Sequence, residues 1–147
     1  MSVVERRMAC RADDVLAVLA DGWLYPTWVV GASRVRAVSA GWPLPGSRIS
    51  HSFGPWPLAI DDDSVSLAWF PEHGIELQAR GWPAGEARVR VAVTPEGSGC
   101  RVRLTEDAVR GPGTWVPRPL RSAALHVRNV ETLRRLEWLA ARREPAR

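Results

Sequence analysis

Between residues 33 and 109 apolar and polar side chains alternate in short runs, the period-two signature of strands with one buried face. The runs fall at 33–39, 47–53, 64–70, 75–80, 86–94 and 100–109. The cleanest is 86–94, with Val89, Val91 and Val93 on one side and Arg88 and Arg90 on the other. Gly54, Pro55, Trp56 and Pro57 break the second run before residues 58–60 resume it, and Asp61, Asp62 and Asp63 read as a turn. In 64–70 the alternation groups Val65, Leu67 and Trp69. Short turns joining six successive strands predict an antiparallel meander.

The two ends differ. Residues 3–9 alternate well enough for a first strand, and residues 12–20 read as a helix with Asp13 and Asp14 at its positive N-terminal end and Gly22 closing it. The aromatic stretch 23–31 holds Pro26 and ends at Gly31, which leaves room for one or two helical turns. From 118 to 143 the period becomes helical. Leu125, Asn129, Leu133, Leu136 and Ala140 share a stripe flanked by His126 and Val130, and Arg121, Arg128, Arg135, Arg142, Glu131 and Thr132 lie on the other side.

One antiparallel sheet must bury a face, and a single long C-terminal helix is available to cover it. The prediction is an α+β fold. A curved seven-stranded antiparallel sheet wraps around the C-terminal helix, and two short helices stand between strands 1 and 2. The 147 residues make one domain, with its core at about 3–143, and that arrangement encloses an internal pocket.

Composition narrows the chemistry. All 20 basic residues are arginine, so a phosphate-loop lysine, a Schiff-base lysine and a cofactor-anchoring lysine are excluded. The net charge is +4, but the arginines are spread over the whole chain and alternate with apolar residues, which describes a solvated sheet face and not a nucleic-acid partner. The N-terminal residues carry Glu5, Arg6 and Arg7 and form no secretory signal, and no stretch is apolar enough for a membrane span. Two cysteines, Cys10 and Cys100, cannot make a disulfide scaffold and match no zinc spacing. They suggest reduced thiols and a cytoplasmic protein. No metal or cofactor is expected. The oligomeric state is left as monomer or homodimer.

Several stretches resemble short bacterial members of one family. These are the run from Ala17 to Trp23, then Tyr25-Pro26-Thr27-Trp28-Val29-Val30-Gly31-Ala32, Gly41-Trp42-Pro43, Thr105-Glu106-Asp107, and Arg128-Asn129 through Leu136. With the order of elements, they make the chain similar to the START-like superfamily, also called polyketide cyclase/dehydrase-like or SRPBCC. The resemblance implies the helix-grip fold and a cavity for a small hydrophobic ligand, with aromatic and polyketide-like molecules among the candidates. It implies no common catalytic set. In that topology the first and last strands are antiparallel neighbours, which brings Cys10 toward Cys100.

Candidate ligand-binding residues are Trp28, His51, Trp56, Trp69, Glu106, His126 and Asn129. Trp28 and Trp56 can stack on a flat apolar ligand or simply pack, and Trp23 stands with Trp28 at the expected lid. His51, in phase with Ile49 and Phe53, points inward as either a proton-transfer group or a hydrogen-bonded core residue. Glu106, in phase with Val102, Leu104 and Ala108, needs a partner if buried: the ligand, or an arginine or Asn129. His51 and Glu106 are therefore also the catalytic candidates of an alternative reading, a cyclase or dehydratase moving protons around an enolisable carbonyl. His73 belongs to a turn, and no serine lies in a nucleophile-elbow pattern.

Overall fold

The computed structural model describes residues 1–54, 57, 59–81 and 85–143. β1 (Ser2–Met8) leads into α1 (Ala12–Leu19), a 3-10 turn (Gly22–Leu24) and α2 (Tyr25–Trp28). The meander follows as β2 (Ala32–Val38), β3 (Arg48–Phe53), β4 (Ile60–Phe70), β5 (Gly74–Gly81), β6 (Gly85–Glu96) and β7 (Gly99–Arg110). A second 3-10 turn (Pro112–Trp115) then precedes α3 (Arg118–Ala141). The strands form one sheet in the order β1-β7-β6-β5-β4-β3-β2, so β1 closes antiparallel against β7 with Met8 opposite Cys100. This is the helix-grip architecture that the element order predicted. Among the described residues no helix is long and apolar enough to cross a membrane.

The inner face follows from alternation. Val4 and Met8 on β1, Val89, Val91 and Val93 on β6, and Cys100, Val102 and Leu104 on β7 are buried, along with Leu77 and Ile75 on β5. The apolar side of α1 (Val15, Leu16, Val18 and Leu19) covers one end of that face, together with Leu133, Leu136 and Ala140 of α3. An Arg6–Glu137 ion pair at 2.5 Å ties β1 to α3. Gly74 (φ 136°) begins β5 where a Cβ would stand 1.9 Å from the Val91 carbonyl oxygen, an approach that only glycine permits.

Two readings of β4 are corrected. Asp61, Asp62 and Asp63 form no turn but lie within the strand, opposite Ser52, His51 and Ser50. Turn propensity loses here to a complete ladder with β3 and to cross-strand charge, since Arg36 meets Asp61 and Arg48 meets Asp63, both at 3.7 Å. Second, Val65 and Leu67 do not share the inner face with Trp69. Ser64 and Ser66 are buried instead, and a register shift between Ser66 and Ala68 then turns Trp69 toward the core. Trp56, the other aromatic candidate near this strand, lies outside the described residues, as does Leu58.

Candidate functional site

α3 packs on α1, α2, β1 and β7, and its first half stands away from the middle of the sheet. The gap is a cavity of about 360 Å³. Its floor is Leu77 and Ala79 of β5, Ala87 and Val89 of β6, and Leu104, Glu106 and Ala108 of β7. Tyr25, Trp28 and Val29 close one end, His51 and Phe53 form a side wall, and α3 contributes the roof from Leu120 to Thr132. Gly31 (φ 96°) makes room for this wall, because a Cβ there would lie 2.9 Å from the Phe53 ring.

Of the predicted residues, Trp28, His51, Glu106 and Asn129 line this one cavity. Two others do not. His126 is exposed on α3, since it sits at the edge of the inward stripe, and Trp69 packs against the core outside the cavity lining. Trp23 is exposed in its 3-10 turn.

Glu106 is 3% exposed, and both of its oxygens are taken. Arg128 Nη2 donates to Oε1, and Asn129 Nδ2 donates to Oε2 at 2.8 Å. The carboxylate is therefore anchored to α3, with its charge met by a guanidinium. This corrects the placing of Arg128 on the far side of the helix. The long side chain reaches round from the flank of the stripe, as arginine can. Arg121 likewise lines the cavity and pairs with Asp107 at 3.0 Å, and Thr132 is buried, its Oγ1 accepting from Val30 N–H at 3.4 Å.

A second polar group runs along the wall. His51 Nδ1 lies 3.3 Å from the Ser52 carbonyl oxygen, which can only accept, so Nδ1 carries the ring proton. Nε2 then accepts from the Ser64 hydroxyl at 2.9 Å, and Tyr25 OH donates to Ser64 Oγ at 2.8 Å. Burial lowers the His51 pKa from its ordinary value and keeps the ring neutral, although the Ser52 carbonyl and the charges of Asp62 and Asp63 act the other way. Burial pushes the Tyr25 phenol up to about 12. Tyr25 stacks edge-on against Trp28 at 5.5 Å between centroids.

His51 and Glu106 thus belong to two separate hydrogen-bonded groups, each complete without the other. Tyr25, Ser64, Arg128 and Thr132 were missed from the sequence. Tyr25 had a usable signal, being the only tyrosine in the chain and set in an aromatic cluster. Arg128 adjoins Asn129 at the rim of the inward stripe, where length matters more than phase. Among the described residues no group of three His, Cys, Asp or Glu is placed to hold a metal ion.

No protein-family model matches the sequence. No curated protein matches it either. Solved structures do. Protein NE0264 from Nitrosomonas europaea is 19% identical, with a TM-score of 0.72 over 95% of this chain and 92% of the other. Truncated norcoclaurine synthase from Thalictrum flavum is 18% identical, with a TM-score of 0.66 over 97% and 93%. The di-domain ARO/CYC StfQ of the steffimycin biosynthetic pathway is 15% identical, with a TM-score of 0.72 over 95% of this chain and 50% of that protein. At such identities the likeness shows the fold alone: this chain shares the helix-grip architecture of these structures.

Proposed function

We propose that this protein binds a small hydrophobic molecule in the cavity between the sheet and α3, with the molecule's oxygen-bearing end against α3. The observation that carries this reading is a cavity of about 360 Å³ whose walls are mostly apolar and whose free donors lie on α3 and at the neighbouring end of α2. That volume falls within the usual range for small-molecule sites. His51, Ser64 and Tyr25 satisfy one another, so they offer little to a ligand. The buried Trp28 indole N–H has no partner among the described residues, and Arg128 and Asn129 keep N–H groups beyond those given to Glu106. They favour a ligand with an acceptor such as a carbonyl or a phenolic oxygen. The ring of Trp28 and that of Phe53 favour a flat aromatic or polyketide-like body.

The test has two arms. Native mass spectrometry of protein purified from its own host should show a retained small molecule. Titration with an apolar fluorescent dye should saturate, and Ala108→Phe, which fills the cavity from β7, should weaken dye binding at least about tenfold while the circular dichroism stays unchanged. Equal dye affinity in a folded Ala108→Phe variant, with no retained molecule, would overturn the reading.

A second reading, a cyclase or dehydratase, is favoured by the Tyr25–Ser64–His51 chain on the cavity wall and by the names of two structures it is similar to, a synthase and an ARO/CYC. If it holds, Tyr25→Phe protein should retain a different molecule from the wild type. The same retained molecule favours a carrier.

A further inference from the structure

The rim of the cavity carries a surface that ligand binding inside it does not explain. In the first turns of α3, Leu120, Ala123, Ala124 and Val127 follow the i, i+3, i+4, i+7 spacing of one helical face, and all four are exposed. Such a stripe normally packs against something. Here Leu120 is 65% exposed and Val127 73%, while Trp115, just before the helix, is 82% exposed. The stripe is also one lip of the cavity, because Leu120 and Ala124 line it together with Val116.

Along the segment that forms this lip the charge has one sign, while across the mouth Glu86, the ladder partner of Arg110 on β6, is tied to Arg80 at 3.0 Å. From residue 108 to residue 130 there are four arginines (Arg110, Arg118, Arg121 and Arg128) and no aspartate or glutamate. Arg121 and Arg128 are committed to Asp107 and Glu106. Arg110 and Arg118 are exposed and bracket the segment that holds Trp115. An exposed tryptophan and an apolar helical stripe, flanked by arginines without acidic neighbours in the segment, make a surface complementary to an apolar layer under negative charge. The other exposed tryptophan of α3 contrasts with it. Trp138 is covered on one face by Arg142 at 4.1 Å and stands at the far end of the helix.

We propose that this rim docks on the surface of an anionic lipid bilayer, with Trp115, Val116 and Leu120 entering the headgroup region and Arg110 and Arg118 meeting the lipid phosphates and carboxylates. The cavity then opens directly onto the hydrocarbon boundary, so a hydrophobic ligand exchanges without crossing water. Docking goes beyond the cavity reading and is measured separately from it. Vesicle binding without dye binding removes only the latter, and dye binding without vesicle binding removes only the former.

The experiment is co-sedimentation of the whole protein with vesicles of phosphatidylcholine alone and of phosphatidylcholine with about one-third phosphatidylserine. We expect binding to the anionic vesicles only, and its loss in high salt. Trp115→Ser should weaken partitioning about tenfold, and Arg110→Gln with Arg118→Gln about thirtyfold. Trp138→Ser, at the far end of α3, should bind like the wild type. Thermal melts keep the comparison to folded protein, and because all these side chains are exposed they should agree closely. Failure to bind anionic vesicles at low salt overturns the proposal, as does equal loss in the Trp115 and Trp138 variants. Self-association that Leu120→Ser abolishes, without vesicle binding, overturns it in favour of a face between two copies of this chain.

Discussion

Replacing Glu106 by glutamine removes one charge and almost no volume, so it tests what the carboxylate does. The new side-chain amide can still accept from one neighbour, and Asn129 can turn its own amide to satisfy the other side, so the hydrogen bond within the buried pair survives. The charge of Arg128 does not keep its partner. Breaking a fully buried ion pair costs about 3–5 kcal/mol. The Arg128 side chain is 28% exposed and the Glu106 side chain 4%, so solvent offsets part of the loss on the arginine side only. We therefore expect about 3 kcal/mol, the lower end of that range. For a chain of this length that lowers the melting temperature by about 6–12 °C. The assay is thermal unfolding followed by circular dichroism, with Arg128→Met and the double variant completing a cycle. The single changes each strand one member of the pair. The double change strands neither, so it should be milder than their sum by about 2 kcal/mol. A Glu106→Gln melting point within about 2 °C of the wild type, or an additive cycle, would refute the anchor.

Two further predictions follow from the buried titratable groups. Because burial lowers the His51 pKa below the unfolded value of 6.5, the unfolded chain takes up a proton first as pH falls. Stability is therefore complete above about pH 6.5 and declines below it until the folded ring also titrates. Wild-type melting temperatures should fall more than those of His51→Asn between about pH 7.5 and about pH 5, and parallel curves would exclude the neutral imidazole. The second concerns the thiols. Burial raises the pKa of both Cys10 and Cys100, which lie near enough to influence each other, and pushes Cys100 up to about 12. Both are free. A maleimide should label Cys100 slowly in the native protein and both residues promptly after denaturation. Fast native labelling of Cys100 would contradict its burial, and the absence of thiols after denaturation would mean a bridge.

Much of the fold could be read from alternation, because β6 and β7 bury one face and wet the other, so that Val89, Val91, Val93, Val102 and Leu104 declare their side. The same rule placed His51 and Glu106 inward before any contact was known. It failed on β4 for two reasons. Three successive aspartates carry turn propensity, and only the ladder with β3 overrides it. The shift between Ser66 and Ala68 then reverses the phase, and nothing in Ser64–Phe70 announces a bulge. His126 failed differently, since it stands at the edge of the stripe, where a small rotation of the helix decides between water and cavity.

Whether an inward face lines a packed core or a cavity is harder to read, because both ask for apolar residues. The distinction here lies along α3. Its second half turns Leu133, Leu136 and Ala140 inward, and these pack into the shared core with α1 and β1. Its first half lines the cavity with Leu120, Ala124, Leu125, Arg128 and Asn129, a mixture of apolar and polar side chains that leaves the space unfilled. A helix held firmly at one end stands off from the sheet at the other, and the gap it leaves has the N–H donors of Arg128 and Asn129 on the helix side and the Trp28 indole N–H at its end. Leu120 and Val127 stand exposed at the opening. The cavity and the exposed lip thus meet along one segment, the first half of the last helix, where Leu120 and Ala124 belong to both.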